Sequence, residues 1–220
     1  METFIVFLKD WLTHLQIATA LVGTYFAIVR PSKKLVLFVG FFWYACLNEF
    51  FAAYYGTSIQ PGHNSIVFNI YYLFFFGILF YYLESVLINK LAKRLTRVMF
   101  AVYLFLLVFE TMVLGLDYFI DFQVIPYIVA GTYIIIGVLF YFVEQLKSRQ
   151  VTRIENKIQF WILTAYFFYL LALVPLKVGR NYYANQDGLS HLFNVLYIMT
   201  LVMNIVLITG FIWTGLKRET

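Results

Sequence analysis

The chain has 220 residues, of which 63% are hydrophobic, 21% aromatic and 12% charged, and its mean hydropathy is +0.82. A soluble domain averages about 25% charged and 45–50% apolar residues, and one of this size leaves too much surface wet to hide such an excess. Lipid must cover most of the outside, which excludes a soluble enzyme, a disulfide-stapled secreted module and a disordered tail.

In chain order, apolar stretches long enough to cross a hydrocarbon core fall at about 11–29, 35–55, 66–87, 98–116, 124–145, 158–177 and 191–214. The runs are continuous and lack the alternation of barrel strands. Lipid-exposed backbone must satisfy its own hydrogen bonds, so an all-α fold follows. The sequence therefore predicts a polytopic seven-transmembrane-helix bundle, with residues 1–220 as a single domain and no connection longer than about 14 residues. The opening is not read as a cleavable signal peptide: it lacks a basic start, and Lys9 and Asp10 interrupt the apolar run. The single cysteine, Cys46, closes no internal disulfide.

Charge sets the expected orientation. Arg30, Lys33 and Lys34 follow the first span, and Lys90, Lys93, Arg94 and Arg97 the third. Lys147, Arg149, Arg153 and Lys157 follow the fifth, with Lys217 and Arg218 after the seventh. Only Lys9, Lys177 and Arg180 fall on the other side. The positive-inside rule makes the basic side cytoplasmic, with the N-terminus out and the C-terminus in. The net charge of +5 is then a topology signal rather than a nucleic-acid footprint. Trp11, Tyr54, Tyr55, Tyr182 and Tyr183 near one boundary, and Tyr81, Tyr82, Tyr141, Trp161 and Trp213 near the other, read as interfacial belts. Residues 77–84 and 137–144 echo each other as Gly-x-Leu-Phe-Tyr endings closed by Glu84 and Glu144. Similar interfaces selecting similar endings explain the echo more simply than a duplicated transporter unit.

Ionisable groups at membrane depth are costly and normally face the bundle interior. Here they gather toward the outer side: His14 in span one, Asn48 and Glu49 in span two, Asn69 in span three, Glu110 in span four, and His191 with Asn194 in span seven. The outer loops add His63, Asn64, Asp117, Asp121, Asn181, Asn185 and Asp187. Ala45, Glu49, Ala52 and Ala53 share a helix face, and small residues mark close helix contact. Glu110 and Asp117, seven apart, are expected on one face above Tyr103, and His191 and Asn194 on another. Thr19, Gly23 and Ala27 form a small-residue packing ladder, and Asn204 reads as interhelical glue. The expectation is an outward-open polar pocket built from Glu49, Glu110, His14, Asn48, Asn69, His191 and Asn194, suited to a cationic or hydrogen-bonding ligand.

No HExxH, GxSxG or phosphate-cradling GxxxxGK motif occurs, so no catalytic residue, metal ligand or cofactor is assigned. Seven-span metal hydrolases resembling alkaline ceramidases or adiponectin receptors carry paired histidines on the last helix, where this chain offers only His191. A retinal protein needs a Schiff-base lysine that 191–214 lacks. The segments Asn69-Ile70-Tyr71-Tyr72 and Asn156-Lys157-Ile158-Gln159-Phe160-Trp161-Ile162 resemble a broad group of uncharacterised seven-span bacterial inner-membrane proteins, some similar to the membrane-sensor halves of histidine kinases. That resemblance implies a seven-helix fold and a sensing role. The expected function is a non-enzymatic inner-membrane sensor or accessory subunit embedded in the lipid bilayer. It would take a small ligand at the periplasmic side and act through a membrane or cytoplasmic partner protein. A small-solute or proton-coupled transporter using Glu49 and Glu110 is the alternative, and a metal-dependent lipid hydrolase the third reading.

Overall fold

The computed structural model describes residues 2–61, 64–147, 151–183 and 188–216, with the backbone alone at 2–10, 151–153, 180–183, 188–191 and 216. Its long helices are α1 (Glu2–Val29), α2 (Lys33–Tyr54), α3 (Ser65–Val86), α4 (Lys90–Met112), α5 (Ile125–Lys147), α6 (Ile158–Tyr183) and α7 (Gly188–Leu216). A π turn, Tyr55–Ile59, extends α2, and a 3-10 turn, Val151–Asn156, precedes α6. Among the described residues there is no strand. Each of the seven helices carries a stretch of 19 to 27 residues apolar enough to cross a membrane.

Local chemistry fixes several boundaries. Ser32 caps α2 by accepting from the Leu35 N–H at 3.1 Å, and Asn89 caps α4 by accepting from Leu91 N–H at 2.8 Å and Ala92 N–H at 3.4 Å. Such side-chain acceptors satisfy donors that the first helical turn leaves open. Pro126 lies in the first turn of α5, where its missing N–H removes no helix bond. Gly115, at φ 71°, turns the chain away from the end of α4 in a conformation that a side chain would resist.

These signals shift the fourth span from its expected 98–116 to Lys90–Met112. The Asn89 cap starts the helix early, so Lys90, Lys93, Arg94 and Arg97 ride on its first turns rather than in a loop. Asp117 falls in the following connection and shares no α4 face with Glu110.

Short connections make successive helices antiparallel neighbours, and α7 closes the arrangement by packing on α1. The bundle therefore has an N-side, holding the starts of α1, α3, α5 and α7, and a C-side, holding the starts of α2, α4 and α6. Helix α3 is central, touching α2, α4, α5 and α6, whereas α4 packs on α3 and α5 at the margin. On α4 the buried residues are Thr96, Tyr103 and Glu110, spaced by seven, the spacing that returns a residue to the same helix face. Its Leu91, Val98, Phe105 and Met112 are exposed, as a lipid-facing surface requires.

The core is aromatic. Phe75 and Phe76 on α3 are fully buried. Phe75 meets Phe41 of α2 at 6.2 Å and Tyr166 of α6 at 5.6 Å, and Phe76 meets Tyr127 of α5 at 5.7 Å between ring centres. Separations of this size are those of favourable ring pairs. Two of the expected belt residues, Tyr82 and Tyr141, belong to this core: Tyr82 points inward and donates to the Lys34 carbonyl. Trp11, Tyr54, Tyr81 and Trp213 do remain exposed, while the side chains of Tyr182 and Tyr183 lie outside the described residues.

The echoed segments have unlike surroundings. A Cβ on Gly137 would stand 2.4 Å from Leu83 of α3, whereas one on Gly77 would meet only Phe100 at 3.9 Å. Tyr81 is exposed and its counterpart Tyr141 buried. Their glutamates differ as well: Glu84 pairs with Arg97 at 2.8 Å, and Glu144 accepts from the Ile88 and Asn89 N–H groups at 2.8 and 3.0 Å, tying α5 to the α3–α4 connection.

Candidate functional site: an acidic cavity walled by tyrosines

A cavity of about 660 Å³ opens in the N-side half between α1, α2, α3, α6 and α7. Helical periodicity explains its lining. Phe42, Ala45, Cys46 and Glu49 lie on one stripe of α2, and Leu196, Tyr197, Thr200 and Met203 on one stripe of α7, both at the three-and-four spacing of a helix face. Helix α1 adds Leu12, Thr13, His14 and Gln16. Tyr71 and Tyr72 of α3 and Tyr166 and Tyr169 of α6 form the back wall. Two other grooves, of about 460 and 490 Å³ on the outside of α2 and α3, are lined almost wholly by apolar groups; of these three spaces among the described residues, the inner cavity is the one on which polar groups converge.

Glu49 is the acidic residue on this wall, and its side chain is exposed. Among the described residues its carboxylate has no hydrogen-bond or ion-pair partner, and it lies within electrostatic reach of the Tyr71 and Tyr169 hydroxyls. No Lys or Arg is among the lining residues. His14, at the same cavity, holds its ring 6.0 Å from that of Trp11. Below the cavity, the Thr19 hydroxyl donates to Asn204 Oδ1 at 2.8 Å and Asn204 Nδ2 donates to the Thr200 carbonyl at 2.8 Å, which ties α1 to α7 and closes the floor. The C-side half beneath is filled: Phe38, Leu79, Leu83, Val138, Ile162 and Leu207 are all fully buried.

Glu110 and Asn69 are engaged elsewhere. Glu110 is 2% exposed, and its Oε1 accepts from the Val124 and Ile125 N–H groups, each at 3.2 Å. A carboxylate at this place satisfies helix donors and matches the positive end of the α5 dipole. Asn69 is fully buried and uses its bonding capacity on the α4–α5 connection and on Tyr127 of α5. Its Nδ2 donates to the Tyr118 and Asp121 carbonyls at 2.9 Å each, and its Oδ1 accepts from Gln123 N–H at 3.3 Å and Tyr127 O–H at 3.1 Å. Gln123 completes the latch by donating to the Leu107 carbonyl and to Thr111 Oγ1, both at 3.1 Å. Within the same connection, Asp117 accepts from Phe119 N–H at 2.9 Å and Asp121 from Asp117 N–H at 3.1 Å.

The structure thus divides the expected pocket. Glu49 and His14 share the cavity; Glu110 and Asn69 share the latch; Asn48 borders the apolar 460 Å³ groove; Asn194 is half-buried on α7 away from the cavity lining. The side chain of His191 lies outside the described residues, as do His63, Asn185, Asp187 and the side chain of Asn181. Among the described residues no three His, Cys, Asp or Glu side chains are grouped as a metal site.

Sequence reasoning missed two features. One is the tyrosine wall, since the sequence reading gives Tyr71, Tyr72, Tyr166 and Tyr169 no place in the pocket. The other is Lys177, read as a boundary charge. Its side chain is 5% exposed, with Nζ 4.2 Å from the Tyr72 ring centre, 5.1 Å from Tyr127 and 5.4 Å from Phe122, distances at which a ring face attracts a cation. The signal was there: Tyr166, Leu170, Leu173 and Lys177 repeat at four, three and four residues, and all are buried. Tyr72 borders the cavity, carries Lys177 and lies, ring centre to ring centre, 4.7 Å from the tilted ring of Tyr127, whose hydroxyl bonds Asn69, so it joins the cavity to the latch. Comparisons of the chain with protein-family models, with curated proteins and with solved structures found no match.

Proposed function

We propose that this seven-helix membrane protein is a non-enzymatic sensor or accessory subunit of a bacterial inner membrane. It receives a small ligand in the Glu49–His14 cavity from the periplasmic side and acts through a partner protein at its basic cytoplasmic rim. The observation that carries this reading is the confinement of the cavity to the N-side half, above a filled C-side half. A receptor needs a one-sided pocket; a carrier needs a polar route that reaches the other face in some state. The alternative as a transporter drew on Glu49 and Glu110 together, and Glu110 is committed to capping α5. The clustering of basic residues at the C-side supports placing that end in the cytoplasm. In this reading Tyr72 conveys occupancy of the cavity to the α4–α5 latch, since it touches both.

Substituted cysteines test the proposal. In a Cys46→Ala background, Thr13→Cys and Tyr197→Cys are expected to react with a membrane-impermeant maleimide from the periplasmic face alone. Labelling of the same positions from the cytoplasmic face would replace the sensor with an alternating-access transporter.

A further inference from the structure

We propose that the cavity binds a small organic cation, an ammonium on an apolar body, with Glu49 as its counter-ion and Tyr71 and Tyr169 as its aromatic wall. This rests on the reading that the cavity receives a ligand, and it names the chemical class.

Charge argues first. Glu49 borders the cavity without a hydrogen bond or ion pair to any described residue, and no Lys or Arg lines the space with it. The Glu49 side chain is exposed, and a carboxylate at membrane depth is costly unless water or a counter-ion meets it. The Glu110 carboxylate meets the same requirement with backbone N–H groups; Glu49 has an open volume in front of it instead. A cationic ligand supplies what the described residues there do not.

Ring chemistry argues second. Tyrosine faces carry negative charge density and attract ammonium groups, most strongly where water is excluded. The lining includes Tyr71, Tyr72, Tyr166, Tyr169 and Tyr197, and Glu49 lies within reach of two of them. The bundle already holds one ammonium in this way, since Lys177 Nζ sits 4.2 Å from the centre of Tyr72. The rest of the lining, including Leu12, Phe42, Phe68, Leu196 and Met203, is apolar, and 660 Å³ lies within the range of small-molecule sites. That remainder accommodates a hydrocarbon or aryl body rather than a bare hydrated ion. A neutral ligand bonded to a protonated Glu49 is the competing chemistry, and the test separates the two.

The experiment uses the full chain, purified in detergent and titrated with benzyltrimethylammonium, 2-phenylethanol and phenylacetate as cationic, neutral and anionic probes of similar body. Dissociation constants are read by calorimetry. The cation is expected to bind about tenfold or more tightly than the neutral probe, in keeping with a desolvated cation–π site plus a carboxylate. Glu49→Gln should erase that preference, and Ala45→Trp, which fills the cavity, should remove binding of every probe. Equal affinity for cation and alcohol, or a Glu49→Gln protein that keeps the preference, overturns the organic-cation assignment; loss of that binding in Ala45→Trp would leave the ligand-receiving cavity standing. Failure of all three probes to bind overturns both. Should Glu49→Gln not fold, Tyr169→Leu serves instead: it is expected to weaken the cation at least fivefold with little change for 2-phenylethanol, and equal weakening of both would overturn the assignment.

Discussion

Glu49 and Glu110 are the same residue type in the same N-side half of one bundle, yet one faces a cavity and the other caps a helix. The difference lies in what surrounds each carboxylate rather than in depth or hydropathy. Glu110 ends α4 where α5 begins, so two backbone donors with no helical acceptor are within reach. Glu49 sits mid-face on α2, where neighbouring helices present tyrosine rings and side chains of α1 instead of a helix start. An acid in a membrane-spanning helix thus marks a candidate ligand site only where its oxygens are not already occupied by the fold.

Substitutions at four positions break or sharpen this contrast. The largest effect is expected on the latch beside Glu110. Asn69→Asp replaces two donors with an oxygen facing the Tyr118 and Asp121 carbonyls, and should destabilise the protein by about 3 kcal/mol, the scale of buried polar groups left unpaired, read by reversible unfolding in mixed micelles. Glu110→Leu comes next, since it strips the Val124 and Ile125 N–H groups of their acceptor. A loss of about 2–3 kcal/mol is expected, with Glu110→Gln recovering much of it because an amide oxygen still accepts. A harmless Glu110→Leu would free Glu110 for a ligand and dissolve the contrast.

Thr19→Val is expected to cost about 1 kcal/mol, the worth of one internal hydrogen bond, seen as a modest fall in Tm, because it leaves Asn204 Oδ1 without the Thr19 donor. Glu49→Gln should move stability least, within about 0.5 kcal/mol as for positions outside structural features, while acting on ligand binding. If thermal unfolding shows it as damaging as Glu110→Leu, Glu49 is a structural acid like its counterpart.

How much of this could be read from the residues varies by feature. The seven spans are written in composition, because twenty apolar residues in water have no alternative to lipid or burial. The inward turn of Glu49 was also legible, since Ala45 on the same stripe signals close packing and both residues line the cavity. The buried setting of Lys177 was legible in its spacing from Tyr166 but hidden by its place near a helix end. The separation of Glu110 from Glu49 was not legible. It depends on where α5 starts and on how the connection from 113 to 124 folds back onto Asn69, and neither is a property of helical periodicity.

Sequence by itself determined the number of helices long and apolar enough to cross a membrane, the all-helical backbone and the concentration of acids toward the N-side half, because each follows from the cost of polar groups in hydrocarbon and from a period of 3.6 residues. Tertiary structure alone decided which acid meets open space and which meets backbone, and which tyrosines turn inward to face it. Those outcomes depend on residues distant in sequence, such as 14 and 197 or 49 and 169, lining one cavity, which happens only when α1, α2, α6 and α7 pack around α3.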